Sequence, residues 1–446
     1  MIFKRKIYRQ LLEWKNSKIN NSALLIEGAR RIGKSTIVEE FAKNEFDDYI
    51  MIDFMYENDE MKNLFKDLKN LDLFFSNFFL LAGKTLKPGS LIIFDEIQRC
   101  PLARQSIKKL VKDGRYYYIE TGSLLSIRDN TDNITIPSEE RRIEMYPLDY
   151  EEFLWAFGDD STASLLRSIY SNNQNISEDI HKELMKKFRL YMVLGGMPKV
   201  ISIFQMTNSY MEAEKEKQDI LKLYKDDLLK HDRKYGTQCR TLYDNLSNEL
   251  MSQSSRYNIS KNSNNKRIKQ LDDTIFDLDD SKIVKLCHHA SEPQYGLELS
   301  KNISKFKMYS CDAGLLVTSI YKDKSLNVED IYKKLVFGKI NSNFGKIFES
   351  IVSQALVSNG YTPFYHTYTI EEEGKIKRYE IDFMVESAGK VVAIEVKSGS
   401  NFTTSSLNNL KIKYPQLKFK KIVISNKTLS IKDNVMYLPI YMTFVL

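Results

Sequence analysis

A short segment near the N-terminus combines glycine, lysine and serine at a spacing that suits phosphate binding. It reads Gly28-Ala29-Arg30-Arg31-Ile32-Gly33-Lys34-Ser35, a complete G-x-x-x-x-G-K-[ST] string, and Thr36 follows it. Glycines at these positions allow a backbone that approaches phosphate more closely than a Cβ would permit. The lysine is expected to reach the β- and γ-phosphates of a nucleotide, and the serine hydroxyl to coordinate Mg²⁺. The segment therefore predicts a site for ATP with Mg²⁺.

The residues on either side of this loop predict the elements that would hold it in place. Apolar residues 23–26 are typical of a strand, and residues 36–42 are typical of a helix. A helix that starts at the loop directs its free N–H groups and the positive end of its dipole at one point, where an anion is favoured. An ordinary glycine turn that opens a helix is the alternative.

Two consecutive acids at the end of an apolar run supply the second part of the predicted site. Residues 91–94 are apolar and are followed by Asp95 and Glu96. An uninterrupted apolar strand is typical of a parallel sheet buried on both faces, and open α/β sheets bind ligands at the carboxyl ends of their strands. We expect Asp95 to hold Mg²⁺ through water and Glu96 to polarise the attacking water, which favours hydrolysis over a kinase reaction. A solvated acidic turn is the alternative.

Hydroxyl and guanidinium groups further along the chain could complete this site. Thr121 and Ser123 follow a predicted strand at residues 116–119, where a hydroxyl can sense the γ-phosphate. Ser123 is named as the candidate, and Thr121 stays open. Arg142 could neutralise charge that develops during phosphoryl transfer. A plain turn and a surface ion pair are the respective alternatives.

A second group of charged residues lies near the C-terminus. Residues 379–385 and 391–397 predict two antiparallel strands joined by a glycine-containing turn. Because residues two apart share one face of a strand, Glu395 and Lys397 point the same way, and Asp382 can meet Glu395 across the hairpin. The two carboxylates could hold a hard divalent cation, and the lysine could activate water or stabilise a phosphorane. A hairpin stabilised by a cross-strand ion pair is the alternative.

The first set of motifs resembles a large group of prokaryotic AAA-type P-loop ATPases that carry a C-terminal region of unknown function. The resemblance rests on the loop, the acid pair and residues 121–123, 142–154, 191–198 and 306–316. Ala313 stands where the family usually has threonine, and Arg141 where it usually has glycine. The resemblance implies a multidomain cytosolic ATPase. AAA-type sites often use an arginine from a neighbouring chain, so a homo-oligomer is compatible with it.

The C-terminal group resembles the D-x(n)-E-x-K pattern of restriction-endonuclease-like nucleases. The predicted elements follow that superfamily's αβββαβ order, with a helix at 344–360, strands at 362–368, 379–385 and 391–397, a helix at 403–414 and a strand at 419–424. Glu349, on the first helix, matches the accessory acid, so the resemblance implies that it joins Asp382 and Glu395 as a metal ligand. Such a fold can cleave nucleic acid or persist as a binding platform.

The predicted fold class is α/β, with four domains. They are an AAA-type P-loop ATPase domain with a parallel sheet and helices on both faces (1–155), a helical lid or connector (156–250), a winged-helix-like module (251–340) and a nuclease-like domain (341–446). The Ser/Asn-rich residues 251–266 could instead be a flexible linker. The winged-helix-like module could read DNA or serve as a protein contact.

Composition narrows the partners and the compartment. The 66 basic residues nearly balance 59 acidic ones, and the net charge of +7 allows nucleic-acid binding without showing it. No apolar run is long enough to span a membrane, and the first residues lack the apolar core of a signal peptide. Four cysteines without C-x-x-C spacing predict thiols in a reducing cytosol. We therefore expect a cytoplasmic protein without membrane contact.

Two hypotheses for the function follow. The first is an ATP-hydrolysing AAA-type protein that acts on nucleic acid and carries a Mg²⁺-dependent nuclease domain. The alternative is an ATP-gated binding or signalling protein whose nuclease-like domain is inert and binds a protein or nucleic-acid partner. Stimulation of ATP turnover by DNA would favour the first.

Overall fold

The structure divides into two units. The computed structural model describes residues 2–17, 22–123, 137–231, 236–251, 257–258, 275, 278–321, 327–339, 345–372, 374–399 and 401–446. The first unit comprises residues 1–146 and 280–282, and the second comprises residues 147–279 and 283–446. Each unit is described by itself below.

A parallel sheet with flanking helices forms the first unit. Its strands are β1 (Ala23–Glu27), β2 (Tyr49–Asp53), β3 (Leu91–Asp95), β4 (Tyr117–Gly122) and β5 (Glu140–Glu144), and its helices are α1 (Ile7–Lys15), α2 (Lys34–Glu45), α3 (Asp59–Leu64), α4 (Leu71–Ala82) and α5 (Pro101–Asp113). The strands lie in the order β2-β3-β4-β1-β5 with every pair parallel. The carboxyl ends of β1, β3 and β4 therefore meet at one edge, as the P-loop prediction requires.

Aromatic side chains fix this sheet between its helices. On one face, Phe94 of β3 packs against Phe54, Phe65 and Phe78 at ring-centroid distances of 5.6 to 6.4 Å. Adjacent residues of a strand point to opposite faces. Tyr117 accordingly packs on Trp14 and Phe46, whereas its neighbour Tyr118 stacks on Phe94. This packing holds the strand that ends at Asp95 rigidly in the sheet.

The second unit joins helices to one large mixed sheet. Its helices are α6 (Tyr150–Ala156), α7 (Thr162–Ser171), α8 (Glu178–Leu194), α9 (Pro198–Thr207), α10 (Tyr210–His231), α11 (Gly236–Met251), α12 (Ala313–Ile320), α13 (Val328–Val336), α14 (Gly345–Ser358) and α15 (Ser405–Lys413). Its strands are β6 (Tyr257–Asn258), β7 (Val284–Ala290), β8 (Lys301–Ser310), β9 (Phe364–Glu372), β10 (Lys375–Ser387), β11 (Lys390–Lys397), β12 (Phe419–Ser425), β13 (Ser430–Lys432) and β14 (Val435–Pro439). The described strands lie in the order β13-β14-β12-β11-β10-β9-β7-β8-β6.

The boundary of the first unit differs from the predicted domain boundary. The unit ends at Tyr146, whereas the predicted domain ends at residue 155. The following segment packs within the second unit: the Leu148 backbone N–H donates to the Gly196 carbonyl at 2.8 Å, and the Leu148 carbonyl accepts from the Tyr191 hydroxyl at 3.1 Å. These bonds attach α6 to α8, so that segment belongs to the second unit.

The predicted division at residue 340 does not separate two sheets. The β7–β8 hairpin lies in the segment predicted as a winged-helix-like module, but β7 pairs in parallel with β9 of the segment predicted as nuclease-like. Backbone hydrogen bonding thus makes both segments one sheet. Most of the Ser/Asn-rich stretch 251–266 lies outside the described residues.

The C-terminal elements occur in the predicted order of helix, three strands, helix and strand. They are α14, β9, β10, β11, α15 and β12. The β10–β11 hairpin closes through Ala388 and Gly389, which have φ of 48° and 73° between the paired residues Ser387 and Lys390. Positive φ at both turn residues matches the right-handed twist of the strands. The turn therefore fixes the register that brings Asp382 beside Glu395.

Two glycine-containing segments meet inside the second unit. Asp312, which is fully buried, accepts from the Gly196 N–H at 2.6 Å and caps α12 by accepting from the Leu315 N–H at 2.9 Å. A Cβ at Gly196 would lie 2.1 Å from the Leu148 carbonyl oxygen, and one at Gly314 would lie 2.4 Å from the Leu194 carbonyl oxygen. The glycines at these positions are therefore required by close packing of the backbone.

Two compositional expectations can be compared with the described residues. All four cysteines are buried, and none of them forms a disulfide. None of the described helices has both the length and the apolar character needed to cross a bilayer.

Candidate functional site

The glycine-rich segment forms a loop between β1 and α2, as predicted. Gly33 has a φ of 93° directly before α2, and a Cβ at Gly28 would come within 2.4 Å of the Met145 carbonyl oxygen. Arg5, which was not predicted to take part, donates to the Ile32 carbonyl at 2.8 Å and so holds the loop from the N-terminal side. The loop conformation is thus set by the two glycines and by this buried arginine.

Lys34 lies inside the loop. Its Nζ donates to the carbonyl oxygens of Gly28 and Ala29, both at 2.9 Å. Burial lowers the pKa of this ammonium to about 8, and the nearby charges of Glu96 and Asp95 oppose that shift. The lysine therefore already stands at the point on which the loop N–H groups and the helix N-terminus converge.

Asp95, at the end of β3, gathers the hydroxyl groups of two other elements. Its Oδ1 accepts from the Ser35 hydroxyl at 2.8 Å and from the Thr121 hydroxyl at the end of β4. The aspartate is only 4% exposed. Mg²⁺ prefers oxygen ligands, which hydroxyl and carboxylate groups supply. The oxygens of Ser35, Asp95 and Thr121 therefore fit the Mg²⁺ that accompanies ATP. Ser123, the named candidate, is also buried but lies beyond the end of the strand.

Glu96 occupies an unusual backbone conformation for its type. Its φ is 52°, in the left-handed region, and its carboxylate accepts from the Gln98 side-chain amide. A non-glycine residue held in that region costs roughly 1–3 kcal/mol, and such residues cluster at functional sites. Gln98 was not predicted to take part, because a single glutamine after an acid pair carries no sequence signal. Glu96 thus follows the last residue of β3 and begins the short turn over Ile97–Arg99.

Arg142 contacts acids of the sheet. It lies on β5 opposite Leu25, its Nε donates to Glu140 at 2.8 Å, and a terminal nitrogen is 3.8 Å from Glu27. Among the described contacts of Arg142 there is none to Lys34 or Asp95. Its proposed role in phosphoryl transfer stays a prediction, and Glu27, which directly precedes Gly28, is its nearest connection to the loop.

The sheet of the first unit also carries buried acidic side chains near the glycine-rich loop, and these were not predicted. Glu140 forms a two-bond ion pair with the buried Arg104, with both distances 2.8 Å. Glu120 is fully buried, and burial together with the charge of Glu140 raises its pKa well above the ordinary value. Burial likewise raises the pKa of Glu27. One face of the sheet thus carries two acids, Glu27 and Glu120, whose pKa values are raised by burial beside the glycine-rich loop.

The β10–β11 hairpin brings together three of the predicted nuclease-like residues. Pairing of Phe383 with Ile394 places Asp382 next to Glu395, and Asp382 Oδ2 accepts from the Val396 N–H at 2.9 Å. Lys397 Nζ lies 3.1 Å from Glu395 Oε2, on the shared face that the alternation predicts. Burial, followed by the charge of Glu349, raises the pKa of Asp382 to about 7.

Glu349 lies in the same region but is already paired. Its Oε2 accepts from the Tyr309 hydroxyl at 3.0 Å, and its Oε1 is 2.8 Å from Lys346 Nζ. Among the described residues, no three His, Cys, Asp or Glu side chains are arranged to hold one metal ion. Glu349 and Asp382 each accept a hydrogen bond from the chain, whereas neither carboxylate oxygen of the buried Glu395 accepts one from the described residues. The role of these three acids as metal ligands stays a prediction.

Comparison with family models assigns the first unit. Residues 20–154 match the AAA domain model. This segment has an AAA-type P-loop fold. Residues 185–325 match a domain of unknown function (DUF8612), and residues 344–442 match another (DUF4143). The AAA resemblance found in the motifs is confirmed for this part of the chain, whereas the nuclease-like assignment stays a proposal.

Solved structures show only distant similarity to the chain. A Walker-type ATPase of Pyrococcus abyssi is 15% identical, with a TM-score of 0.38 over 71% of this chain and 96% of that one. A signal-transduction ATPase with numerous domains and a tetratricopeptide-repeat sensor, from Pyrococcus horikoshii, is 15% identical, with a TM-score of 0.26 over 80% of this chain and 50% of that one. TM-scores this low support no conclusion. No curated protein matches the sequence.

Proposed function

We propose that the AAA domain binds ATP and hydrolyses it to ADP and phosphate. The observation that carries this proposal is the convergence of Ser35, Asp95 and Thr121 at the edge of the sheet from which the phosphate loop departs. These three residues belong to three different elements, so the fold of the domain brings their side chains together.

Different residues of the domain are proposed to bind the phosphates and the Mg²⁺ ion. Residues 28–36 would surround the phosphates with backbone N–H groups, and Lys34 would exchange its carbonyl partners for phosphate oxygens. Ser35 and Asp95 would hold Mg²⁺, which neutralises charge on the β- and γ-phosphates. Binding thereby replaces contacts that the loop makes with itself.

The remaining residues are proposed to act on the attacking water and the transferred phosphate. Glu96 would orient the water and accept its proton while the bond from the γ-phosphorus to the leaving oxygen breaks. Thr121 or Ser123 would sense the γ-phosphate. Arg142 would add positive charge, and a homo-oligomer in which a neighbouring chain supplies an arginine stays a prediction.

Replacing the proposed water-orienting acid separates binding from turnover. We expect Glu96→Gln to bind ATP within about threefold of the wild type but to release phosphate roughly 100-fold more slowly, because a neutral amide cannot accept the proton of water. Fluorescent-nucleotide titration and a phosphate-release assay measure the two quantities. Glu60→Gln, at an exposed site on α3, is the control. Equal turnover in Glu96→Gln and the control would remove Glu96 from the mechanism.

We further propose that the C-terminal segment is a nuclease-like domain that binds nucleic acid without cutting it, under control of the ATP cycle. This choice between the two hypotheses is supported by the contacts of Glu349, which pairs with Lys346 through one oxygen and accepts from Tyr309 through the other, and by the ion pair of Lys397 with Glu395. A metal-dependent reaction needs those oxygens on the metal. Contacts between these residues therefore favour binding over cleavage.

Nucleic acid should change ATP turnover while remaining intact. We expect linear double-stranded DNA, single-stranded DNA or RNA to raise the phosphate-release rate at least about threefold, with no cleavage in Mg²⁺ or Mn²⁺, because only binding is coupled to the ATP cycle. Asp382→Ala and Lys397→Ala are assayed in parallel. Cleavage that disappears in both variants would establish a nuclease instead. Turnover indifferent to every nucleic acid would contradict the proposed partner.

A further inference from the structure

A lysine from outside the nuclease-like segment lies among its carboxylates. Lys307, on β8, is fully buried. Its Nζ is 2.7 Å from Glu380 Oε1, 3.8 Å from Glu349 Oε2 and 3.8 Å from Asp382 Oδ1. One ammonium group therefore contacts three carboxylates, two of which were predicted as metal ligands.

The mixed sheet explains how this lysine reaches the carboxylates. Lys307 pairs with Cys287 of β7, and β7 joins β9, whose Tyr365 ring lies 5.4 Å from Lys307 Nζ. Glu380 and Asp382 follow on β10, the next strand. The hairpin formed by β7 and β8 thus extends the sheet and places the Lys307 ammonium on the face that carries the acids.

The ammonium stays charged in this position. Burial alone would lower the pKa of Lys307, but the charges of Glu349, Glu380 and Asp382 outweigh it and raise the pKa above its ordinary value. A buried charge is tolerated when it is paired in this way. The carboxylates therefore hold a permanent cation that belongs to the chain.

The negative and positive charges of this cluster nearly balance without a metal ion. Four carboxylates, those of Glu349, Glu380, Asp382 and Glu395, face three ammonium groups, those of Lys307, Lys346 and Lys397. A divalent cation requires several oxygens at about 2.0–2.6 Å. Binding one would place it beside the Lys307 ammonium and would take oxygens away from the lysines.

We propose that Lys307 is the resident cation of the nuclease-like site and that it keeps divalent metal ions out of the carboxylate cluster. The inference rests on the proposed function in one respect, since it takes these carboxylates as the position of a nuclease-like metal site. It further predicts that replacing Lys307, which is far from the motif in sequence, lets a metal ion bind at that position.

The test measures Mn²⁺ binding by the full chain without nucleotide. We expect the wild type to show no change in melting temperature with Mn²⁺, whereas Lys307→Met melts lower, gains about one bound Mn²⁺ per chain, and recovers by roughly 5 °C at saturation. Lys217→Met is the matched control, because Lys217 is equally buried but pairs with a single carboxylate, Glu214. It should lose stability without any response to Mn²⁺. Free Mn²⁺ is counted by its electron paramagnetic resonance signal.

The outcomes separate this inference from the proposed function. If Lys307→Met does not fold, Lys307→Met with Glu380→Gln removes the nearest uncompensated charge and should also gain one Mn²⁺. Binding of Mn²⁺ by the wild type that is lost in Asp382→Asn would overturn the inference. Absence of binding in both Lys307 variants would also overturn it, while leaving the cleavage and turnover assays to decide the proposed function.

Discussion

At the scale of single residues, the nucleotide site depends on Asp95, whose carboxylate joins three elements. Its position was predictable, because an apolar run followed by two acids has a restricted set of structural meanings, and its role in holding Mg²⁺ stays a proposal. The choice between Thr121 and Ser123 was not predictable, since both are small hydroxyl residues near a strand end. Thr121 donates a hydrogen bond to Asp95 in the structure. It lies within β4, one residue before the strand ends at Gly122.

The buried Glu120 leads to a pH-dependent prediction. Burial and Glu140 raise its pKa above that of the unfolded chain, so its contribution to stability is complete below the unfolded pKa and is lost as pH rises through the folded pKa. Glu120→Gln cannot ionise. We expect the variant to match the wild type near pH 4 and to exceed it by about 1–3 kcal/mol in free energy of unfolding at pH 8.

Urea unfolding at several pH values measures this difference. Glu13→Gln is the control, because Glu13 is an exposed acid of the same unit whose pair with Arg9 is solvated. Surface ion pairs contribute about 0–1 kcal/mol. A stability difference between Glu120→Gln and the wild type that stays constant from pH 5 to pH 8 would show that Glu120 is not protonated in the folded protein.

At the scale of elements, the junction between the segment before α6 and the residues that follow α8 depends on glycine. Ala at position 196 would force its Cβ against the Leu148 carbonyl oxygen, at 2.1 Å. Backbone atoms cannot move aside cheaply, so we expect Gly196→Ala to lower the free energy of unfolding by about 3 kcal/mol or more. Gly399→Ala is the control, since its nearest contact would be 3.8 Å away. Urea unfolding that shows equal stability for both variants would contradict this account of the junction.

Elements with strong local signals were predictable, and those that depend on distant packing were not. The loop, the apolar strand before Asp95 and the β10–β11 hairpin have sequence patterns that specify them locally. Lys307 gave no such signal, because a lysine between apolar residues in a strand can face either solvent or a buried partner. Only the pairing of β7 with β9, which joins residues far apart in the chain, brings it to Asp382.

At the scale of the whole molecule, the sequence predicted the AAA domain more reliably than the divisions that follow it. The predicted division at residue 340 was based on the helix and the motif that begin the nuclease-like segment, whereas the sheet continues through hydrogen bonds from β8 to β14. Backbone pairing between distant segments leaves no mark in composition. The hydrolysis proposed for the first unit and the binding proposed for the second can nevertheless be tested separately, because each proposed set of residues lies within its own unit.

The measurement that tests the central claim most directly is steady-state phosphate release from ATP by the wild type and by Lys34→Ala. We predict turnover in the wild type and its loss, by about 100-fold or more, in Lys34→Ala, because the variant lacks the ammonium that the loop positions for the phosphates. Lys43→Ala, which removes an exposed lysine from the same helix, should retain full activity. Phosphate release by Lys34→Ala at the rate of the wild type would contradict the assignment of this loop as the ATP site.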